Sequence, residues 1–159
     1  MTEQKDAAAV RMFPPAIPLA TVLLGIALER ILPIAVGFEP PPFLRYWVGG
    51  AIIAGAILGL GLWSVLLMRG SGQDENPWKP TTSILERGPY RLTRNPMYLQ
   101  MVVACIGFAV LLWNAWILLL TPLCAWLLQR LAILPEEAYL ERKFGEAYLA
   151  YKNRVRRWL

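Results

Sequence analysis

MYLQMVVACIGFAVLLWNAWILLLTPLCAWLLQRLAIL, from Met97 to Leu134, decides the fold. It carries no charged residue before Arg130. A helix needs about 20 apolar residues to cross about 30 Å of hydrocarbon, and this block is about twice that long. Asn114 sits near its middle, between Trp113 and Trp116. A polar turn residue flanked by tryptophans, which favour membrane interfaces, predicts a tight helical hairpin. The block therefore reads as two spans, Met97–Trp113 and Ala115–Leu134.

Upstream lie two more apolar runs. The first extends from Ile17 to Phe38, with Glu29 and Arg30 towards its far end. Adjacent helical residues do not face each other, so pairing between them is not assured; reaching for the interface is the expected use, and a polar contact inside the bundle is the other. Glu39-Pro40-Pro41-Pro42 then reads as a short, stiff loop, because proline is excluded from helix interiors. The second run extends from Tyr46 to Met68, with Ala51, Gly55 and Gly59 at four-residue spacing. Such a face lets another helix approach closely. Packing inside the monomer is the expected use, and a homo-oligomer through the Gly55/Gly59 face is the other.

Arg69 to Asn95 is polar and holds three X-Pro elements. Ordered loops of this length are more often functional than merely connecting. Beyond Leu134, the residues Leu140, Phe144, Tyr148, Tyr151 and Val155 recur at steps of three or four. They predict an amphipathic helix along the membrane surface or capping the bundle. Arg154 to Trp158 suits an interfacial anchor.

The expected fold is thus a single all-α integral membrane domain over residues 1–159. It has four transmembrane helices, near 17–38, 46–68, 97–113 and 115–134, and a C-terminal amphipathic helix. Composition agrees. Hydrophobic residues make up 57% of the 159, more than a soluble domain this small can bury. Four spans place both termini and the Arg69–Asn95 segment on one side, with nearly all the Lys and Arg. The positive-inside rule makes that side cytoplasmic. The net charge of +5 is then read as topology and contact with anionic membrane lipid, not as a nucleic-acid surface. Met1 to Arg11 lacks the pattern of a cleaved signal peptide. Cys105 and Cys124 lie in apolar stretches without metal spacing and read as small core residues. The chain has no histidine, which removes the commonest zinc ligand and the commonest base near neutral pH.

Two polar stretches meet on the cytoplasmic side. One runs from Leu85 to Tyr98. The other is Pro135-Glu136-Glu137, followed by Phe144 to Tyr151. Neither matches a phosphate-cradling loop or a dinucleotide fingerprint. The residues alone define a polar pocket of carboxylates, tyrosines and arginines at a membrane surface. Each also has a purely structural reading. Asn95 and Pro96 serve as N-cap and first residue of span three. Glu136 and Glu137 complement a helix N-terminus. Arg91 and Arg94 meet lipid phosphates.

Arg94-Asn95-Pro96-Met97-Tyr98, preceded by Gly88-Pro89-Tyr90, resembles the Arg-His-Pro-x-Tyr motif of isoprenylcysteine carboxyl methyltransferases and related phospholipid methyltransferases. Glu136-Glu137 with Phe144-Gly145-x-x-Tyr148-x-x-Tyr151 resembles their C-terminal signature. Asn76-Pro77-Trp78-Lys79-Pro80 is similar to the loop of small prokaryotic members. The resemblance covers residues 76–159. It implies an S-adenosylmethionine site closed by the tail, with S-adenosylhomocysteine as product and a lipophilic or lipidated acceptor entering from the membrane. Thr82, Ser83, Ile84, Leu85, Tyr90, Asn95, Pro96, Met97 and Tyr98 would then lie along the cofactor. Glu136 would take its ammonium group, and Arg130 would orient an anionic acceptor. The sequence departs from the family pattern at Asn95, where eukaryotic members carry histidine, and at Gln100, near a common glycine.

Methyl transfer from a sulfonium is an in-line displacement that needs positioning and desolvation. A carboxylate acceptor is already ionised at neutral pH, whereas an ammonium must first lose a proton. The leading expectation is therefore carboxyl methylation of an isoprenylcysteine-like lipid. Phospholipid amine N-methylation is the second, and a non-enzymatic membrane scaffold the third.

Overall fold

The computed structural model describes Ala8, Val10 and residues 12–74, 76 and 78–159. All regular elements among them are helical. Helix α1 is Ala16–Ile31. Helix α2 is Pro42–Gly70, with a π-helical segment at Ala56–Leu62. Helix α3 is Pro96–Leu112. Helix α4 is Ala115–Phe144, with a π-helical turn at Gln129–Ile133. Helix α5 is Glu146–Arg154. Helices α2 and α4 are long and apolar enough to cross a bilayer, and α3 is a shorter apolar helix. Helix α3 packs between α2 and α4, and α1 packs mainly on α4.

The hairpin at Asn114 forms as its sequence predicts. Trp113 takes a left-handed conformation at φ 49°, which ends α3. Asn114 accepts a hydrogen bond from the Ile117 amide at 2.9 Å, capping α4. Its Nδ2 also donates to the Gly25 carbonyl at 3.2 Å, tying α1 to the same turn. Both flanking indoles donate to backbone carbonyls, Trp113 to Phe38 at 3.1 Å and Trp116 to Leu32 at 2.7 Å.

Helix α1 stops at Ile31, short of the expected Phe38. Pro33 disfavours the helical conformation in the residue before it, and Leu32 is the C-cap. Pro42 begins α2 as its first residue, where a missing N–H costs nothing. Arg45 pairs with Glu39 across the proline loop at 2.7 Å. Arg30 is exposed as expected, but the Glu29 Oε2 is buried without a hydrogen-bond partner among the described residues.

Close packing falls to other glycines than those the four-residue spacing picks out. Ala51, Gly55 and Gly59 face outward, and a Cβ on Gly55 or Gly59 would meet nothing within 4 Å. Gly49 instead lies against Leu111, where a Cβ would sit 2.6 Å from its amide nitrogen, and Gly61 makes room for the Gln100 side chain. Buried Cys105 and Cys124 join Leu128, Ala132 and Ile133 in the core.

The tail also differs from expectation. Helix α4 does not end at Leu134. It continues through the π-helical turn past Pro135, the wider turn accommodating the missing proline N–H. The break comes at Gly145, whose φ of 52° favours glycine. The expected amphipathic helix is therefore divided between the end of α4 and α5. The readings for Met1–Arg11 and Pro77 lie largely outside the described residues.

Candidate active site

The segment between α2 and α3 is pinned at several points. Gln73, itself buried, donates from Nε2 to the Ser83 hydroxyl at 3.0 Å. The Thr81 amide donates to the Tyr139 hydroxyl at 3.2 Å. A 3-10 turn, Gly88–Arg91, packs on α2. Gly88 there has φ 55°, and a Cβ would approach Leu67 Cδ1 to 2.7 Å.

From this turn the chain enters α3 under a strap formed by the C-terminal residues. The Arg94 amide donates to the Arg156 carbonyl at 2.9 Å. The Thr93 hydroxyl and the Asn95 Nδ2 both donate to the Arg157 carbonyl at 3.0 Å. Arg94 NH1 donates to the carbonyls of Lys152 and Val155 at 2.8 and 2.7 Å. The Tyr151 hydroxyl donates to the Tyr90 carbonyl at 2.7 Å. Asn95 thus occupies the N-cap position of α3 without capping it by its side chain; that side chain holds the tail.

Glu136 and Glu137 have separate environments. Glu137 is buried and receives Arg94 at 2.9 Å on one oxygen and Arg157 at 2.7 Å on the other. Its hydrogen bond holds the Arg157 guanidinium above its ordinary pKa. Glu136 has one hydrogen-bond partner among the described residues, the Tyr98 hydroxyl, which donates to Oε2 at 2.9 Å. Its other oxygen has no hydrogen-bond partner among the described residues.

Glu136 borders two adjoining cavities, of about 460 Å³ and about 70 Å³. The larger is lined by six of the expected residues, Tyr90, Asn95, Pro96, Met97, Tyr98 and Glu136. The smaller is lined by Ser83, Ile84 and Leu85. Tyr90, Asn95 and Glu136 belong to both. Thr82 is exposed and lines neither. Arg130 also lies outside both, its guanidinium 5.8 Å from the Trp126 ring centre on the outer face of α4.

Several lining residues were not anticipated as a site. Phe13, Pro14 and Pro15 border the larger cavity, with Asp74, Asn76 and Trp78. The Phe13 and Trp78 rings stack at 6.4 Å, and the Trp78 indole donates to the Val10 carbonyl at 3.1 Å. Phe13 carries no motif, and only the fold brings it there. Asn76 and Trp78 were already visible in the resemblance. Tyr148 and Tyr151 of the C-terminal signature line the smaller cavity.

Burial raises the phenol of Tyr90, with the Glu136 charge adding to it, and burial likewise raises Tyr148 and Tyr151. All three are neutral hydrogen-bonding groups near pH 7. A hydrogen bond from Lys79 holds Asp74 below the usual carboxylate range, keeping it anionic. The larger cavity therefore combines two carboxyl groups with four aromatic rings. Among the described residues its one arginine, Arg94, is already occupied by Glu137 and tail carbonyls.

A family model described as phospholipid methyltransferase matches residues 44–147, more than half of the chain. An uncharacterized protein of Haemophilus influenzae is 36% identical over 63 residues, which cover 40% of this chain and 100% of that protein. No solved structure matches the chain.

Proposed function

The chain belongs to the phospholipid methyltransferase family, and on that premise we propose an S-adenosylmethionine-dependent methyltransferase acting on a membrane amphiphile. The observation that carries this reading is the convergence of two cavities on Glu136, Tyr90 and Asn95. A 460 Å³ space falls within the range of about 300–1,000 Å³ usual for small-molecule sites. The lining suits the cofactor. The unused oxygen of Glu136 matches its ammonium group, and the faces of Tyr90 and Tyr98 match a sulfonium. The cofactor supplies an electrophilic methyl group for in-line displacement. The protein's part is to hold it, orient the acceptor and exclude water. Four crossings by α1 to α4, with the cavities on the cytoplasmic side, accompany this reading.

For the acceptor, the charges favour a lipid amine. Asp74 and Glu136 border the larger cavity, while Arg94 is saturated. A carboxylate entering there meets no unpaired cation among the described residues, and Arg130 faces away. An ammonium headgroup meets the rings of Phe13 and Trp78 beside Asp74, whose charge it would share with Lys79. An isoprenylcysteine-like carboxylate is the second reading, favoured by the absence of histidine, since it needs no base. The test is to incubate purified protein with methyl-labelled cofactor and either an amine-headed phospholipid or a prenylated cysteine. Label in the phospholipid alone supports the amine. Label in the prenylated cysteine alone replaces it with the carboxylate. Label in neither, with no S-adenosylhomocysteine binding, leaves the scaffold reading.

A further inference from the structure

The 3-10 turn Gly88–Arg91 and α5 form a cleft of about 330 Å³ that the proposed chemistry does not use. Glu86, Tyr90 and Arg91 line it from the turn, and Tyr151, Arg154 and Val155 from the end of α5. Two guanidiniums on facing elements share one carboxylate. Arg154 pairs with Glu86 at 2.7 Å. Arg91 donates from Nε to the Glu86 carbonyl at 3.3 Å and has no carboxylate partner among the described residues. Tyr90 and Tyr151 are neutral near pH 7, so the lining carries net positive charge. Its base is fixed. The Tyr151 hydroxyl donates to the Tyr90 carbonyl, and Arg94 NH1 to the Val155 carbonyl, both at 2.7 Å.

The turn also sits at the end of a membrane-length helix. Gly88 lies against Leu67 and Trp63 of α2, in the last apolar turns before Arg69. Trp63 and Leu66 are exposed there, and so is Leu92, next to Arg91. Exposed leucines and a tryptophan beside arginines fit the headgroup layer, where apolar side chains enter hydrocarbon and guanidiniums meet phosphates. A soluble phosphate has no use for the apolar neighbours. A zwitterionic headgroup would bring its ammonium against the same guanidiniums, and like charges oppose binding.

We propose that this cleft binds the phosphate of an anionic phospholipid between Arg91 and Arg154, and that this lipid is an effector and not the methyl acceptor. Tyr90 and Tyr151 line the smaller of the two cavities at Glu136 as well as the cleft. A lipid held in the cleft therefore braces a wall of the proposed cofactor site, and preorganisation favours binding. It raises cofactor-product affinity, and the product raises lipid affinity by the same factor. The effector role rests on the methyltransferase reading above; the lipid site does not.

The test uses the full chain in nanodiscs of phosphatidylcholine alone or of an equal mixture with phosphatidylglycerol. Phosphatidylglycerol with a photoreactive headgroup maps the contact by mass spectrometry, and S-adenosylhomocysteine affinity is measured by calorimetry. Label is expected on residues 86–92 and 151–155, and phosphatidylglycerol should raise S-adenosylhomocysteine affinity about fivefold. Arg91→Gln and Arg154→Gln should each weaken the labelling about fivefold, the worth of one arginine near an anionic surface. Each should also remove the affinity gain and keep the affinity seen in phosphatidylcholine. Arg142→Gln, which removes an exposed charge near the end of α4, should do neither. Equal loss of label in Arg142→Gln, or label spread over all basic segments, would mean diffuse attraction and overturn the site. Inorganic phosphate that reproduced the gain in phosphatidylcholine discs would replace the lipid with a soluble anion. Label in the cleft with no affinity gain would overturn the effector role. Failure of the unsubstituted protein to bind S-adenosylhomocysteine in either disc would overturn the methyltransferase reading, and the labelling would still decide the lipid site.

Discussion

Arg94 and Glu137 pair at 2.9 Å with side chains only 7% and 5% exposed. The pair joins the entrance of α3 to α4, and Arg157 brings the tail to the same carboxylate. Removing one member of a buried pair leaves uncompensated charge and costs about 3–5 kcal/mol. Glu137→Gln should therefore lower the unfolding temperature in detergent markedly. Glu86→Gln, which breaks the Arg154 pair whose side chains are 63% and 42% exposed, should cost under about 1 kcal/mol. Equal effects of the two substitutions would mean that the tail is not clasped by Glu137.

Gly49 of α2 faces α3, whereas Gly55 faces outward. Gly49→Ala puts a Cβ within 2.6 Å of the Leu111 backbone and should cost about 1–3 kcal/mol through overpacking. Gly55→Ala enters open space and should stabilise by up to about 1 kcal/mol through helix propensity. Thermal unfolding of the two variants should move in opposite directions.

Asn114→Ala removes the α4 cap and the link to Gly25 together. A cost of about 1–2 kcal/mol is expected. Asn114→Ser, which keeps a capping oxygen, should recover part of it in the same unfolding measurement.

The hairpin was legible because a single Asn between tryptophans interrupts an otherwise unbroken apolar run, and turn chemistry acts locally. The Glu136 side of the cavity was legible because its residues fall in two motifs. What the sequence did not reveal depends on which way a helix faces. Four-residue spacing identifies the Ala51, Gly55 and Gly59 stripe but not its direction, and α3 packs on the face holding Gly49 and Gly61 instead. The break at Gly145 escaped because apolar periodicity runs on across it. Phe13, Asp74 and Arg130 show the same limit. Their distances from the cavities are set by how α1, the loop and α4 meet, and no local pattern encodes that.

The raised phenols have a consequence at high pH. Tyr90, Tyr148 and Tyr151 keep their protons in the folded state beyond the unfolded value of about 10. Above that value the unfolded chain binds fewer protons than the folded one, so stability falls as pH rises. Below it their contribution is fully present. Denaturation at increasing pH should show a loss starting near pH 10 that is smaller in Tyr148→Phe. An equal slope in that variant would remove Tyr148 from the effect.

Tyr98 and Glu136 give the sharpest test of the proposed cofactor site, because the two halves of their interaction separate by substitution. Glu136→Ala removes the carboxylate that both cavities share and should abolish measurable S-adenosylhomocysteine binding in calorimetry. Glu136→Gln keeps the shape and the hydrogen bond from Tyr98 but loses the charge. If the charge meets the ammonium group, this variant should bind nearly as poorly as Glu136→Ala. Tyr98→Phe keeps the ring face and loses only the hydroxyl that orients Glu136. One charge-assisted hydrogen bond lost corresponds to about a tenfold weaker affinity. Arg130→Ala, outside both cavities, should leave affinity unchanged. Full affinity in Glu136→Gln would mean that the side chain acts by shape alone, and the ammonium contact would have to be sought at Asp74.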